Sequence, residues 1–386
     1  MDVVKIRDQF PVCQQMTYVN TGWSGPSPVP VVNAIKQRLD LEMTQGPTSP
    51  EVYQAGRDIQ AQVEEAMAAL LNASVDEVCV TRNTTEGLNI VMNGLSWEEG
   101  DEIMTCDLEH SSVLIPSYYQ QHRHGAVVKV LQFDPNENRE SILQKISDAI
   151  TDRTKLVFLS HVEYSTGLRM PVKEIRQITK NRGILMLLDG AQSAGHIALD
   201  MKDLDCDFYS IPGQKWLLGP EGVGALYIRQ DLINRVQPTF VAGRSALSPG
   251  NPYAFEPNTE SMDKFLLTST SVALQAGTLE AIKFINDAGM EAIEERNLDL
   301  STIMKQALVG VSGINLLSPL DRQDSTGLVS LTIDGMTPVE AVNRLWQEHR
   351  IVCRPVAFPP GLRISLHFFN TEEEVEQVVD ALKGLV

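Results

Sequence analysis

No run of 18 consecutive apolar residues occurs among the 386 positions, and a helix needs about that length to cross a bilayer. The first residues, Met1-Asp2-Val3-Val4-Lys5-Ile6-Arg7-Asp8, lack a basic stretch followed by an apolar one. That argues against a secretory signal, and a cytoplasmic setting is expected. Positive charge is scarce: 32 Lys and Arg stand against 50 Asp and Glu, a net charge of −18. A field of that sign repels nucleic acid and anionic lipid, so neither is an expected partner. A local site can still oppose the field and hold an anionic cofactor. The five cysteines, Cys13, Cys79, Cys106, Cys206 and Cys353, have no CxxC spacing. A zinc site is therefore not expected, and no other metal site is either. Cys79, Cys106 and Cys206 lie in or beside apolar runs, as buried reduced thiols do. Internal repeats and low-complexity segments are also missing.

The sequence does contain an alternation of strand-like and helix-like segments, with 43% hydrophobic and 21% charged residues, ordinary for a globular enzyme. Strands are expected near 77–81, 102–105, 126–131, 155–160, 184–188, 208–210 and 224–228. Helices are expected from about Thr84, Ser111, Arg139 and Val172. Continuous apolar strands separated by helices predict an α/β fold, a mainly parallel seven-stranded sheet between helices. The texture changes near 285. A charged helix, 290–296, is followed by strands near 327–333 and 362–366 and helices over 338–349 and 371–385. This predicts a smaller α+β C-terminal domain. The expected division is a large domain over 20–284 and a small one from 1–19 and 285–386.

Four clusters fall at expected strand ends, where open α/β sheets bind ligands. The apolar strand Ile184-Leu185-Met186-Leu187-Leu188 ends in Asp189-Gly190-Ala191-Gln192. An unpaired acid there is costly to bury, so it wants a cation. Twenty-six residues on, Lys215 sits in a glycine- and proline-rich loop beside Trp216-Leu217-Leu218. Pyridoxal phosphate suits this pair: its ring nitrogen needs a carboxylate and its aldehyde a lysine amine. Asn83-Thr84-Thr85-Glu86-Gly87 follows a strand and opens a helix, where free N–H groups and hydroxyls hold a phosphate; alone it is also an ordinary N-cap. His110, after the next strand, has a flat ring that stacks on a cofactor, although alone it reads as a polar loop residue. The four occur in the chain order a single site requires.

With those residues in hand, the chain resembles a fold-type-I pyridoxal-phosphate enzyme of the class V aminotransferase family, from about Tyr18 to the C-terminus. That family includes cysteine desulfurases, isopenicillin-N-epimerase-like proteins and cysteine/cystine C–S lyases. Thr84-Thr85-Glu86, Glu109-His110, Ser160-His161, the 189–195 segment and 215–224 carry the likeness. The resemblance implies that Lys215 bears the cofactor, Asp189 pairs with its ring nitrogen and His110 stacks on the ring. It further implies that Gln192 bonds the phenolic oxygen and Thr84 and Thr85 hold phosphate. Arg363 would take the substrate carboxylate, as a guanidinium fork suits it, with Asn20 and Tyr164 also near substrate; Arg244 either meets a second carboxylate of the substrate or is a plain surface residue. A homodimer with shared sites is implied, Ser269 or Thr270 lending a hydroxyl to the neighbour. Two positions depart from the family pattern. Pro212 and Gln214 replace the usual phosphate-binding Ser/Thr and His. Gln214 can donate, Pro212 cannot, and Ser210 is the expected stand-in.

The choice of reaction rests on an absence. A desulfurase needs a cysteine on a mobile loop before the arginine-bearing strand, and none lies between Arg354 and Arg363. Cys353 falls in the preceding strand pattern. β-Elimination by a C–S lyase on cysteine, cystine or a cysteine conjugate is expected, and the aromatic Tyr164 agrees with it. Transamination and epimerisation share the same Cα deprotonation and stay open; a desulfurase is disfavoured, and a non-catalytic scaffold more so.

Overall fold

A computed structural model describes residues 1–386. Its centre is a seven-stranded sheet. In chain order the strands are β1 (Val78–Thr81), β2 (Glu102–Cys106), β3 (Val127–Leu131), β4 (Thr154–Ser160), β5 (Leu185–Asp189), β6 (Phe208–Pro212) and β7 (Gly224–Ile228). Across the sheet they run β1-β7-β6-β5-β4-β2-β3. All neighbours are parallel except β7, which is antiparallel to both β1 and β6. The predicted α/β class with a mainly parallel seven-stranded sheet is what the chain adopts.

Alternation along the central strand explains why both faces are covered. Leu185 and Leu187 pack on one side with Leu88, Ile90 and Val113. Met186 and Leu188 pack on the other with Val63, Met67 and Ile282. The first set belongs to α1 (Thr84–Gly94) and α2 (Ser111–His124), and Ile282 to α3 (Val272–Ala288). A strand apolar on both sides has no solvated face, which is why it reads as an unbroken apolar run.

The remaining strands form a four-stranded antiparallel sheet: β8 (Ile314–Leu316), β9 (Leu328–Ile333), β10 (Arg354–Val356) and β11 (Gly361–Ser365), in the order β10-β11-β9-β8. Its core joins Val329, Leu331 and Ile364 to Leu345, Val375 and Leu382 of the helices Pro338–His349 and Glu372–Lys383. The N-terminal segment adds to the four-stranded sheet's side. Thr17 and Tyr18 pair with Ile351 and Val352, and Asn20 bridges to Ser365. Two expectations shift slightly. Asp189 is the last residue of β5, in register with Ser160 and Ser210, rather than just beyond it. Cys353 lies between the pairs Ile351–Val352 and Arg354–Val356 rather than inside a strand.

Candidate active site

The carboxyl ends of β5 and β6 bring the candidate residues together. Asp189 is buried, and its Oδ2 accepts from Ser112 Oγ at 3.0 Å while Oδ1 accepts from Ala191 N at 2.8 Å. Ser112 is in the first turn of α2, whose N-cap is His110. One helix terminus therefore positions both the imidazole and a donor to the acid. His110 Nδ1 accepts from Ser112 N at 3.2 Å and lies 2.8 Å from Ser112 Oγ, and the ring meets Tyr164 edge-on at 5.0 Å. Burial, then the nearby Lys215 charge, lowers the His110 pKa, so the ring stays neutral.

Lys215 follows β6 in a loop pressed against the N-terminal segment. Gly25 N donates to Gln214 O at 2.7 Å, and a Cβ on Gly25 would lie 2.3 Å from Lys215 O. Leu218, which donates to Lys215 O, has φ +62°. A buried leucine in the left-handed region is a strained turn that the surrounding packing enforces. Desolvation, reinforced by Arg363 and Arg354 and opposed by Asp189, pulls the Lys215 amine down to about 8. A larger neutral fraction at neutral pH is what a lysine nucleophile or base requires.

Gln192 has a fixed orientation. Trp216 Nε1 donates to its Oε1 at 2.9 Å, and its Nε2 donates to Gly22 O at 2.9 Å. An indole N–H only donates, so the amide cannot flip, and Nε2 keeps a second hydrogen for a ligand oxygen. Trp216 is itself held by a stacked His196, ring centroids 3.5 Å apart.

The start of α1 offers donors that a phosphate could use. Asn83 caps it by accepting from Glu86 N at 2.9 Å, which leaves the first N–H groups, those of Thr84 and Thr85, without helical partners. Gln214 Oε1 is buried with no partner. Ser210 does not serve as the expected stand-in: its hydroxyl donates to Thr84 O at 2.9 Å. It is spent on anchoring the helix start. Gly87 makes room for it, since a Cβ there would fall 2.2 Å from Ser210 Oγ.

Arg363 is fully buried. Nη1 donates to Tyr164 O at 2.7 Å, while Nε and Nη2 have no partner. Asn20 Oδ1, Thr21 Oγ1 and Ser365 Oγ nearby are likewise unsatisfied. Burial and then Arg354 pull the Arg363 pKa down to about 9. A buried cation without an anion is costly, and a ligand carboxylate removes the cost. Arg354, which sequence reasoning used only as a landmark, faces Arg363 in register and packs over Trp23 at 4.4 Å. Its charge bears on Lys215, His110 and Tyr164. Arg244 is not brought to this cluster within one chain. It pairs with Asp263 at 3.4 Å and lines a separate cavity of about 360 Å³ with Arg57, Glu64 and Thr270. Thr270 Oγ1 accepts from Gln60 and Gln275, both at 3.3 Å, and with Ser269 it lines a cavity reaching Arg82 and Asn83.

An acid at a strand end, a desolvated lysine, orphaned donors at a helix start and an unpaired arginine fit pyridoxal phosphate and an amino acid. This arrangement defines a fold-type-I pyridoxal-phosphate enzyme. The model of the family described as aminotransferase class V matches residues 23–378, and the chain belongs to that family. It is 28% identical to a probable cysteine desulfurase of Methanothermobacter thermautotrophicus, covering 98% of this chain and 97% of that one. It is 30% identical to the isopenicillin N epimerase of Streptomyces clavuligerus over 84% of each. Among solved structures, the cystine C–S lyase C-DES with its product cysteine persulfide superposes with a TM-score of 0.91 at 29% identity, covering 97% and 99% of the two chains. The apo cysteine desulfurase of Thermococcus onnurineus NA1 gives 0.90 at 26%, covering 99% and 97%. The expected family, fold and cofactor stand: this is a pyridoxal-phosphate enzyme of the cysteine desulfurase and C–S lyase type.

Proposed function

We propose that the chain is a C–S lyase that cleaves cysteine, cystine or a cysteine conjugate by β-elimination. The observation that carries this is the short β10–β11 hairpin. Arg354 pairs with Arg363 and Val356 with Gly361, leaving only Ala357-Phe358-Pro359-Pro360 at its tip. No thiol is available there to receive sulfur. Cys353 is buried, and desolvation pushes its pKa up to about 12, so it is no nucleophile. C-DES, which cleaves cystine, is similar over nearly the whole chain.

In this reading Arg363 binds the α-carboxylate, with its two free donors as the fork. Arg354 accepts the second carboxylate of a larger substrate. The neutral Lys215 amine removes the Cα proton, and Asp189 keeps the ring nitrogen protonated. Bound pyridoxal phosphate supplies the electron sink for that deprotonation. The Cβ–S bond then breaks heterolytically and sulfur leaves with the electron pair. For cystine and water the balanced products are pyruvate, ammonia and cysteine persulfide.

We also infer a homodimer. Phe240, Val241, Leu247, Tyr253 and Phe255 are exposed along one segment, Tyr253 at 95%, and a second copy would cover them. Ser269 and Thr270 are then positioned to lend a hydroxyl across the interface.

The test is incubation with L-cystine and L-cysteine, with and without an α-keto acid. Pyruvate and persulfide are expected, and Lys215→Ala abolishes both activity and the visible absorbance band, lowering turnover by at least about a thousandfold. Amino transfer without pyruvate would overturn the lyase, and racemised substrate without pyruvate would favour the epimerase reading that the 30% relative suggests.

A further inference from the structure

His196 lies flat on Trp216, and its two ring nitrogens reach in opposite directions. Nδ1 is 2.7 Å from Gln192 O, and Nε2 accepts from Gly327 N at 2.8 Å. A backbone N–H only donates and a carbonyl only accepts. Nε2 is therefore the bare nitrogen, and Nδ1 carries the hydrogen and donates it to Gln192 O. The ring is buried. Burial, opposed by the bond to Gln192 and helped by Arg169, pulls its pKa down to about 3. It stays neutral in this one tautomer, with both nitrogens used.

Both ends lead to groups that the proposed reaction needs. Gln192 is held through its amide, between Trp216 Nε1 and Gly22 O, and through its carbonyl by His196. Trp216 is covered by the His196 ring at an interplanar angle of 9°, and Trp216 O accepts from His367 Nε2 at 3.0 Å. At the other end, Gly327 immediately precedes β9. Its carbonyl accepts from Leu366 N at 2.9 Å, just past β11, and Ser330 of β9 pairs with Arg363 of β11. A Cβ on Gly327 would lie 2.5 Å from Leu366 O and 2.9 Å from His196 Nε2, so glycine lets the chain come this close. One imidazole spans from the backbone of Gln192 to the strand pair that carries Arg363.

We propose that His196 is a positioning residue, a strut that fixes Gln192 relative to the Arg363 strands. The Gln192 amide would address the cofactor and Arg363 the carboxylate of the substrate joined to it. The two groups therefore grip one molecule from two segments of chain, and an error in their spacing costs orientation at the reacting carbon. This rests on the pyridoxal-phosphate reading of the site, and the test separates the two.

NMR of apoprotein labelled with ¹⁵N-histidine reads the tautomers without cofactor. The two histidines that contact the Trp216 indole are expected to differ, His196 protonated on Nδ1 and His367 on Nε2. A His196 ring protonated on Nε2 cannot accept from Gly327 and overturns the proposal, whether or not any variant folds. Two variants of the holoenzyme then separate a strut from packing. His196→Phe keeps the stacked ring and loses both hydrogen bonds. His196→Asn loses the ring and the reach to Gly327 but keeps an N–H where Nδ1 stands. Both are expected to raise KM for cystine about threefold to tenfold, with a smaller change in kcat, because neither holds Gly327. His196→Phe is expected to weaken pyridoxal-phosphate binding, read from the visible band, by a similar factor. His196→Asn should weaken it less, although phenylalanine is the better packer. The reverse order, or an unchanged KM in both, leaves only packing and overturns the proposal. A wild type with no visible band would sink the pyridoxal-phosphate reading, and the proposal with it, even with the tautomers as expected. A band without pyruvate from cystine would sink only the lyase, and the order of cofactor binding would still decide the strut.

Discussion

Arg363 and Lys215 are the residues on which burial has the clearest chemical consequence. Arg363 has two donors facing no acceptor, and a charge-assisted hydrogen bond contributes about 1.5–3 kcal/mol. Arg363→Lys keeps the charge but loses the fork. It is expected to raise KM for cystine about tenfold or more, with a smaller change in kcat, measured by steady-state kinetics. An unchanged KM would remove Arg363 as the carboxylate site. For Lys215 the sign follows from its cause. Burial disfavours the ammonium, so the folded pKa, about 8, lies below the model-peptide value of about 10.4. The reactive neutral amine therefore builds up as pH rises through about 8, not 10. Apoprotein should recombine with pyridoxal phosphate at a rate that climbs to a plateau just above pH 8. A rate still climbing steeply at pH 10 would contradict the desolvated lysine. The same depression means that native stability from this group is lost as pH falls through the window between those values, because the unfolded chain binds the extra proton.

Helix starts and strand ends carry the site at the level of elements. The first turn of α1 is held by Asn83 and by Ser210 beneath it. The first turn of α2 delivers His110 and Ser112 to the same region. Because Ser210 occupies the space a Cβ on Gly87 would need, Gly87→Ala should displace the helix. Overpacking of this kind costs about 1–3 kcal/mol. A lower midpoint in urea unfolding is expected, with weaker cofactor retention on dialysis. Retention equal to wild type would separate the α1 terminus from phosphate binding. The second element that matters is the β10–β11 hairpin. Its tight closure sets Arg354 opposite Arg363 and leaves no loop long enough to carry a nucleophile to Lys215, so sulfur leaves with the substrate fragment in the proposed reaction.

At the level of the whole molecule, the N-terminal segment ties the four-stranded sheet to the loop that carries Lys215. It pairs with Ile351–Val352, bridges Ser365 and abuts the Lys215 loop. The proposed dimer adds a further layer, since Ser269 and Thr270 lie in a cavity apart from the Arg363 cluster of their own chain. Mixed dimers test this arrangement. Lys215→Ala subunits and Ser269→Ala/Thr270→Ala subunits should each be impaired. Refolded together, they should regain up to about a quarter of wild-type turnover, because one of the two sites in a heterodimer is then intact. Additive, unrecovered activity would mean that each site is complete within one chain.

The seven-stranded sheet was legible from apolar runs, because strands buried on both faces cannot hide their composition. Asp189 and Lys215 stood out for a similar reason: an acid closing an apolar strand and a lysine among glycines conflict with simple packing, and the proposed roles would resolve the conflict. Three things were not legible. Arg354 needs the strand register that sets it against Arg363, Ser112 needs the packing of α2 over β5, and Trp216 needs the fold to bring its indole to Gln192. Within one chain Ser210 and Arg244 meet Thr84 O and Asp263, partners set by packing and not by spacing. Local chemistry thus pointed to the cofactor and to the lysine proposed to bear it. Which polar atoms are spent on the protein and which remain for a ligand was settled only when distant segments met.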